Sequence, residues 1–186
     1  MSAIAPTRRG AAQSPVAPGS PVATESAVWA LLRTVPDPEI PTVSVVDLGI
    51  VRSVAVTPER IRVELLPTFV GCPAIEAMRE AVAEKLVTLA PEVEVVVSYA
   101  EPWTSERITL AGREKLRRSG FAPPAGGAPT DELGSRGPLL TVAPVARCPY
   151  CDSPRTLLEN VFGPTQCRSI YFCTACRQPF EQFKSV

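Results

Sequence analysis

Histidine is absent from this 186-residue chain, and that absence excludes more than any other feature of the composition. Without imidazole the chain lacks the commonest general base near neutral pH and the commonest neutral metal ligand. A self-contained di-iron centre, a facial triad or a Ser-His-Asp triad cannot be assembled from these residues. Any metal site has to be built from thiolate or carboxylate. Charge of one sign is missing too: 19 Lys and Arg balance 19 Asp and Glu. No cationic run stands out, so the clustered charge that phosphate binding demands is not advertised. No apolar stretch reaches the ~20 residues that span a bilayer. Arg8 and Arg9 are not followed by an apolar segment, so residues 1–21 do not read as a secretory signal. Together these absences predict a cytoplasmic protein that binds neither nucleic acid nor membrane.

Proline, cysteine and apolar residues are what the chain does have. Apolar content is 45%, enough for a core, while 21 prolines exceed ordinary usage and predict linker. Residues 1–23 hold Pro6, Pro15, Pro18 and Pro21 among Ala, Ser and Gly, too little apolar surface to offset ordering entropy, and are expected to be disordered. Residues 122–144 repeat that character with Pro123, Pro124, Gly126, Gly127, Pro129, Gly134, Gly137 and Pro138, and are expected to link two folded parts, 24–121 and 145–186.

Over 24–121 the spacing predicts a small α+β domain, a three-stranded sheet with packed helices in the order α-β-β-α-β-α. Thr24 is placed to cap a helix carrying Ala27, Val28, Leu31 and Leu32. Val43–Thr57 reads as strand, bent at Asp47-Leu48-Gly49. Ile61, Val63 and Leu65 alternate with Arg62 and Glu64 as a second strand. Ile75, Met78, Val82, Leu86 and Leu89 share one helical face. Val93, Val95, Val97 and Tyr99 form a third strand, and a last helix runs from Ser105 to Ser119, stopping at Gly120.

The segment 145–186 is expected to fold around a metal. Cys148-Pro-Tyr-Cys151 and Cys173-Thr-Ala-Cys176 are two C-x-x-C knuckles, and two such tight turns complete a tetrahedron of thiolates. So short a module needs a staple to fold. Zinc is the first choice, with iron or an iron–sulfur cluster compatible with the same donors. Arg147, Arg155, Arg168 and Arg177 lie close in sequence to offset the charge of four thiolates. Cys167 is either an alternative ligand or a small buried residue.

Cys72 stands in the loop Pro67-Thr-Phe-Val-Gly-Cys-Pro73, at the start of an amphipathic helix. Backbone N–H groups and the macrodipole there favour a thiolate. It is either a reactive or metal-holding thiol or an inert packing residue. Asp37 and Glu39, in Pro36-Asp-Pro-Glu-Ile-Pro41, are candidate oxygen ligands or simply turn residues. Thr68 can bond the loop or a ligand, and Trp103 suits core or interface.

Asp37-Pro-Glu-Ile-Pro41, Val46-Asp-Leu-Gly-Ile50 and Pro67-Thr-x-x-Gly-Cys-Pro73 resemble the motifs of the metal–sulfur cluster biosynthetic domain over residues 25–120. Trp103-Thr104, Ile108-Thr-x-Ala-Gly-Arg-Glu-Lys-Leu116, Phe121-Ala-Pro-Pro124, Phe162-Gly-x-Thr-x-Cys167 and Pro179-Phe-Glu-Gln-Phe-Lys184 narrow the resemblance to the phenylacetic acid degradation protein D family. Leu66, Pro164 and Gln166 depart from that family's usual residues without removing a thiol. The resemblance implies a non-catalytic accessory or maturation subunit for phenylacetyl-CoA epoxidase in phenylacetate catabolism, assisting iron or iron–sulfur insertion. It makes Cys72 the transfer thiol, flanked by Asp37, Glu39 and Thr68, with structural zinc at Cys148, Cys151, Cys173 and Cys176 and transient iron or an iron–sulfur cluster as cargo. The implied partners are oxygenase and reductase subunits, with a homodimer as a further option. The competing reading is a structural adaptor that docks those components through the ribbon.

Overall fold

A computed structural model describes residues 23–124 and 146–184. The expected tail therefore lies outside the described residues apart from residue 23, as does the expected linker apart from 122–124. The first helix, α1 (Glu25–Leu32), starts where the Thr24 hydroxyl accepts a hydrogen bond from the Ala27 amide at 3.2 Å, and it buries Val28 and Leu32. Strands β1 (Val51–Val56), β2 (Arg60–Leu65) and β3 (Glu92–Val97) form one sheet in that order. β1 and β2 are antiparallel around a turn in which the Thr57 amide donates to the Arg60 carbonyl at 2.8 Å. β2 and β3 are parallel, Ile61 opposite Val93 and Val63 opposite Val95. A parallel pair needs a crossover, and α2 (Ala74–Leu86) supplies it.

The alternation in β2 sorts its side chains. Ile61, Val63 and Leu65 are fully buried under α2, which contributes Ala74, Ile75, Met78, Val82 and Leu86 to the core. The other face of the sheet carries a ladder of ion pairs, Arg52–Glu64 at 2.5 Å, Arg62–Glu94 at 2.8 Å and Arg60–Glu94. One face is packed and the other solvated, as the period of two requires.

The expected strand over Val43–Thr57 is shorter than its β-branched composition implies. Residues 43–50 are turns, touching strand geometry only in a bridge between Pro36 and Ser44. The Asp47 carboxylate accepts from the Ser44 amide and hydroxyl, both at 2.8 Å, and this side-chain capture of the backbone competes with pairing. Gly49 then takes φ +64°, and a Cβ there would collide with the Arg107 carbonyl. The expected last helix is also divided. A 3-10 turn, Ser105–Arg107, precedes α3 (Leu110–Arg118), because the Thr109 hydroxyl accepts from the Gly112 amide at 2.9 Å and caps a new helix.

Ala122, expected to begin the linker, is 1% exposed and belongs to β4 (Phe121–Ala122). β4 pairs in parallel with β7 (Pro179–Phe183), and the second sheet runs β4-β7-β6-β5, with β6 at Arg168–Cys173 and β5 at Thr156–Asn160. The α+β layer and the ribbon also share apolar packing. Phe183 and Cys167 are buried in the same core as Leu48 and Trp103. Among the described residues no helix is long and apolar enough to cross a membrane.

Candidate functional site

Two groups of thiols emerge from this architecture. The first is built by the knuckles. The Cys148 amide donates to the Ser153 carbonyl and the Asp152 amide to the Cys148 carbonyl, closing one tight turn. The Cys173 amide to Gln178 and the Arg177 amide to Cys173 close the other. In each, the residue after the second cysteine adopts a left-handed backbone, Asp152 at φ 58° and Arg177 at φ 61°. The two turns are thus the same device used twice. They bring the Sγ atoms of Cys148, Cys151, Cys173 and Cys176 within 4.8 Å of one another, with Cys148–Cys176 and Cys151–Cys173 each at 3.6 Å. Zn–S bonds of ~2.3 Å in a tetrahedron place sulfurs ~3.8 Å apart, so the four donors fit one thiophilic ion with no outside ligand. Cys167 is not in this group.

Backbone N–H groups, not arginines, organise charge at these sulfurs. The amides of Cys176 and Ala175 point at the Cys173 sulfur and, against the cost of burial, bring its thiol down to about 6. Burial raises Cys148, and burial reinforced by the neighbouring thiols pushes Cys176 up to about 12. Two of the arginines expected to offset the cluster are engaged elsewhere. Arg147 grips the Asp152 carboxylate at 2.8 and 2.9 Å. Arg168, 8% exposed, faces the α+β layer.

The second group lies where that layer meets the ribbon. A cavity of about 450 Å³ separates the loop Thr68–Pro73 from the ribbon turn Phe162–Cys167. Glu39, Thr68, Cys72, Thr165 and Cys167 are among its walls. Cys72 directly precedes Pro73, the N-cap of α2, and is half-buried. Its carbonyl accepts from Ile75 and its amide donates to Phe69, which hold the loop around Gly71 at φ +79°. Cys167 sits opposite, 9% exposed, its sulfur 3.1 Å from the Thr165 hydroxyl. Burial raises its thiol and the nearby Glu39 carboxylate adds to the rise, while the Thr165 contact and the Arg168 guanidinium oppose it.

Arg168 ties the walls together. Its guanidinium reaches Glu39 at 3.6 Å, Glu181 at 2.9 Å and the Thr165 hydroxyl at 2.8 Å, and lies 5.7 Å from the Phe121 ring centroid. In the sequence it reads only as charge near the knuckles; its burial opposite Glu39 needs a tertiary contact that no local pattern encodes. Trp103 does a related job, donating to the Leu48 carbonyl at 2.9 Å while its ring meets Phe183 at 5.8 Å.

Of the residues grouped around Cys72 on the sequence, Glu39 and Thr68 reach the cavity and Asp37 does not line it. The Asp37 Oδ1 accepts from the Glu39 and Ile40 amides at 2.8 and 2.7 Å, so this carboxylate shapes the turn that presents Glu39. Burial raises its carboxyl and those two N–H groups counter the rise. The Asp-Leu-Gly motif is scaffolding of a similar kind. Lys115 donates to Asp47 at 2.6 Å, the Thr109 amide donates to the Asp47 carbonyl, and a Cβ on Gly112 would strike that carbonyl.

Residues 25–97 match the family model described as iron-sulfur cluster assembly protein, and residues 135–184 match the PaaD zinc beta ribbon domain. A protein of Escherichia coli (strain K12), provisionally named as the D subunit of 1,2-phenylacetyl-CoA epoxidase, is 39% identical over 160 residues, covering 86% of this chain and 92% of the relative. Among solved structures, a domain of unknown function from Bacillus anthracis is 28% identical at a TM-score of 0.43, covering 50% of this chain and 90% of its own. A conserved hypothetical protein from Thermotoga maritima is also 28% identical, at a TM-score of 0.44, with coverage of 50% and 94%. With the Escherichia coli relative matched along nearly its whole length, and with both family models matched in this chain, it belongs to the family of phenylacetyl-CoA epoxidase D subunits.

Proposed function

We propose that the protein is a non-catalytic maturation factor that hands iron or an iron–sulfur cluster to an oxygenase or reductase component of a phenylacetyl-CoA epoxidase. The observation that carries this reading is the placement of Cys72. It is a thiol on a glycine-shaped loop, walling a cavity with a carboxylate, while a separate four-thiol group meets the structural need for metal. A chain without histidine cannot assemble an imidazole-ligated di-iron centre of its own, which fits a role upstream of catalysis. Delivery is a ligand exchange. A client thiolate or carboxylate replaces Cys72 at iron, the released thiolate takes a proton from water, and no electron moves. Zinc, held at the ribbon by Cys148, Cys151, Cys173 and Cys176, supplies folding energy there and no chemistry.

Cys72→Ser, co-expressed with the epoxidase components, is expected to leave ribbon zinc in place while the client loses most of its iron and activity. Full iron occupancy of the client in that background would end the proposal. The adaptor reading has its own support in the exposed Leu157 and Leu158 on β5 and Val161 and Phe162 just beyond it, an apolar edge suited to a partner. Stoichiometric co-purification that is unchanged by Cys72→Ser and abolished by Leu157→Glu would favour it.

A further inference from the structure

We infer that Cys167 of the ribbon and Cys72 of the α+β layer are two ligands of one iron–sulfur cluster bound in the cavity between them, with Glu39 at its edge. This rests on the reading of Cys72 just given and names the second sulfur of the same site. The ribbon has no use for Cys167 as a ligand, because four knuckle thiols already surround one ion. Yet the chain holds this fifth ribbon thiol with care. Its carbonyl accepts from the Lys184 amide at 2.9 Å, and the Lys184 ammonium donates to the Gln166 carbonyl at 2.7 Å. The Gly163 amide closes the turn on Arg168, where a Cβ on Gly163 would come within 3.0 Å of the Arg168 side chain. A turn held in this way, with its cysteine in the wall of a cavity that another cysteine also lines, is more than packing requires.

The donor set and its spacing select the ligand. Two thiolates, one carboxylate and no imidazole suit thiophilic iron. Among the described residues only the knuckle quartet gathers three or more ligand atoms within 4.8 Å of one another. The ligand atoms of Cys72, Cys167 and Glu39 are therefore not all within that distance of one another, a wider spread than the knuckle shell that fits one ion. A [4Fe–4S] cluster takes one protein ligand per iron and bridges a wider gap, and the cavity of about 450 Å³ has room for it. The buried guanidinium of Arg168, beside Glu39 and adjacent to Cys167, offsets the negative charge that such a group brings. The Thr165 hydroxyl lies 3.1 Å from the Cys167 sulfur, and the Thr68 hydroxyl lines the same space. Binding releases two thiol protons to solvent and changes no oxidation state. With two sulfurs from the chain, the remaining irons stay open to a client, unlike the closed knuckle site.

The test uses the full chain with zinc in the ribbon, treated anaerobically with an equimolar mixture of ferrous and ferric iron, either alone or with sulfide, then desalted. Iron, sulfide and zinc per chain and the visible charge-transfer spectrum are the readouts. Wild type is expected to retain iron and sulfide together and little iron without sulfide. Cys72→Ser and Cys167→Ser are each expected to lose at least about tenfold in retained iron, the smaller end of losses seen when a group one shell further out is removed. Zinc at one per chain and an unchanged circular dichroism spectrum report that each variant is folded, and Cys167→Ala repeats the test without a hydroxyl. Alkylation mapping should show Cys72 and Cys167 protected together when the cluster is present. Wild-type iron and sulfide in either folded Cys167 variant, with loss only in Cys72→Ser, overturns this inference and leaves the proposed function standing. Equal retention of iron with and without sulfide overturns the cluster as ligand. Failure of the proposed function shows separately, as a fully loaded client co-expressed with Cys72→Ser.

Discussion

The knuckle site and the cavity use the same element in opposite ways. At the knuckles four sulfurs lie within 4.8 Å, each turn closed by its own backbone, and the donors complete a shell among themselves. In the cavity the two sulfurs come from stretches of chain 95 positions apart, and the walls are completed by hydroxyls and a carboxylate. A closed shell keeps its ion and an incomplete one can exchange it. The difference lies less in cysteine chemistry than in who supplies the scaffold. Local hydrogen bonds build the first site, and the docking of the ribbon on the sheet builds the second.

The largest effect expected on that contrast comes from stripping the ribbon metal with a strong chelator. Structural zinc is worth ~10–16 kcal/mol in isolated fingers, so β5, β6 and β7 should lose hydrogen-exchange protection outright. The α+β layer should survive at a lower melting temperature, having lost Phe183 and Cys167 from its core. Full protection of residues 168–183 after chelation would show that the ribbon folds without metal. Phe183→Ala comes next, at about 3–5 kcal/mol. It should leave zinc stoichiometry unchanged yet shift Trp103 fluorescence to the red and speed the alkylation of Cys167, separating docking from metal binding.

A smaller effect concerns only the layer that carries Cys72. Burial alone would raise the Asp47 carboxyl, but the hydrogen bonds from Lys115 and Ser44 outweigh it and hold it below its usual value. A carboxyl lowered in the folded state stabilises fully above its unfolded pKa of ~4, and that contribution fades as pH falls through the folded value. Asp47→Asn should cost about 1–2 kcal/mol at neutral pH, and its urea midpoint should begin to approach that of the wild type below about pH 4 and meet it only below the lowered value of the folded carboxyl. A difference that stays constant with pH would show that packing against α3, not the charge, is what Asp47 contributes.

How much was legible in the sequence follows the same division. A C-x-x-C knuckle is written within four residues, so the metal group could be read from spacing alone. The helical faces of α1 and α2 and the alternation in β2 were equally local. Residues 43–50 misled because their β-branched composition favours strand while Asp47 turns back to capture the Ser44 backbone. Asp37 and Glu39 are two positions apart and read alike, yet one points into its own turn and the other to the cavity. Pairing Cys72 with Cys167 and placing Arg168 between Glu39 and Glu181 depend on how two sheets meet. That geometry has no signature in any short window.

The pairing of β4 with β7 carries a consequence for the order in which the molecule is made. Synthesis runs from the N-terminus, so the layer holding Cys72 and all four knuckle cysteines leave the ribosome before Pro179–Phe183 does. Until that last strand arrives, β4 has no neighbour and Lys184 is not there to secure the Cys167 carbonyl. A chain cut short after Cys176 would keep every sulfur and still fail to present two of them to each other. The emergence of β7 then completes the walls of the cavity, after every thiol that lines it has already been made.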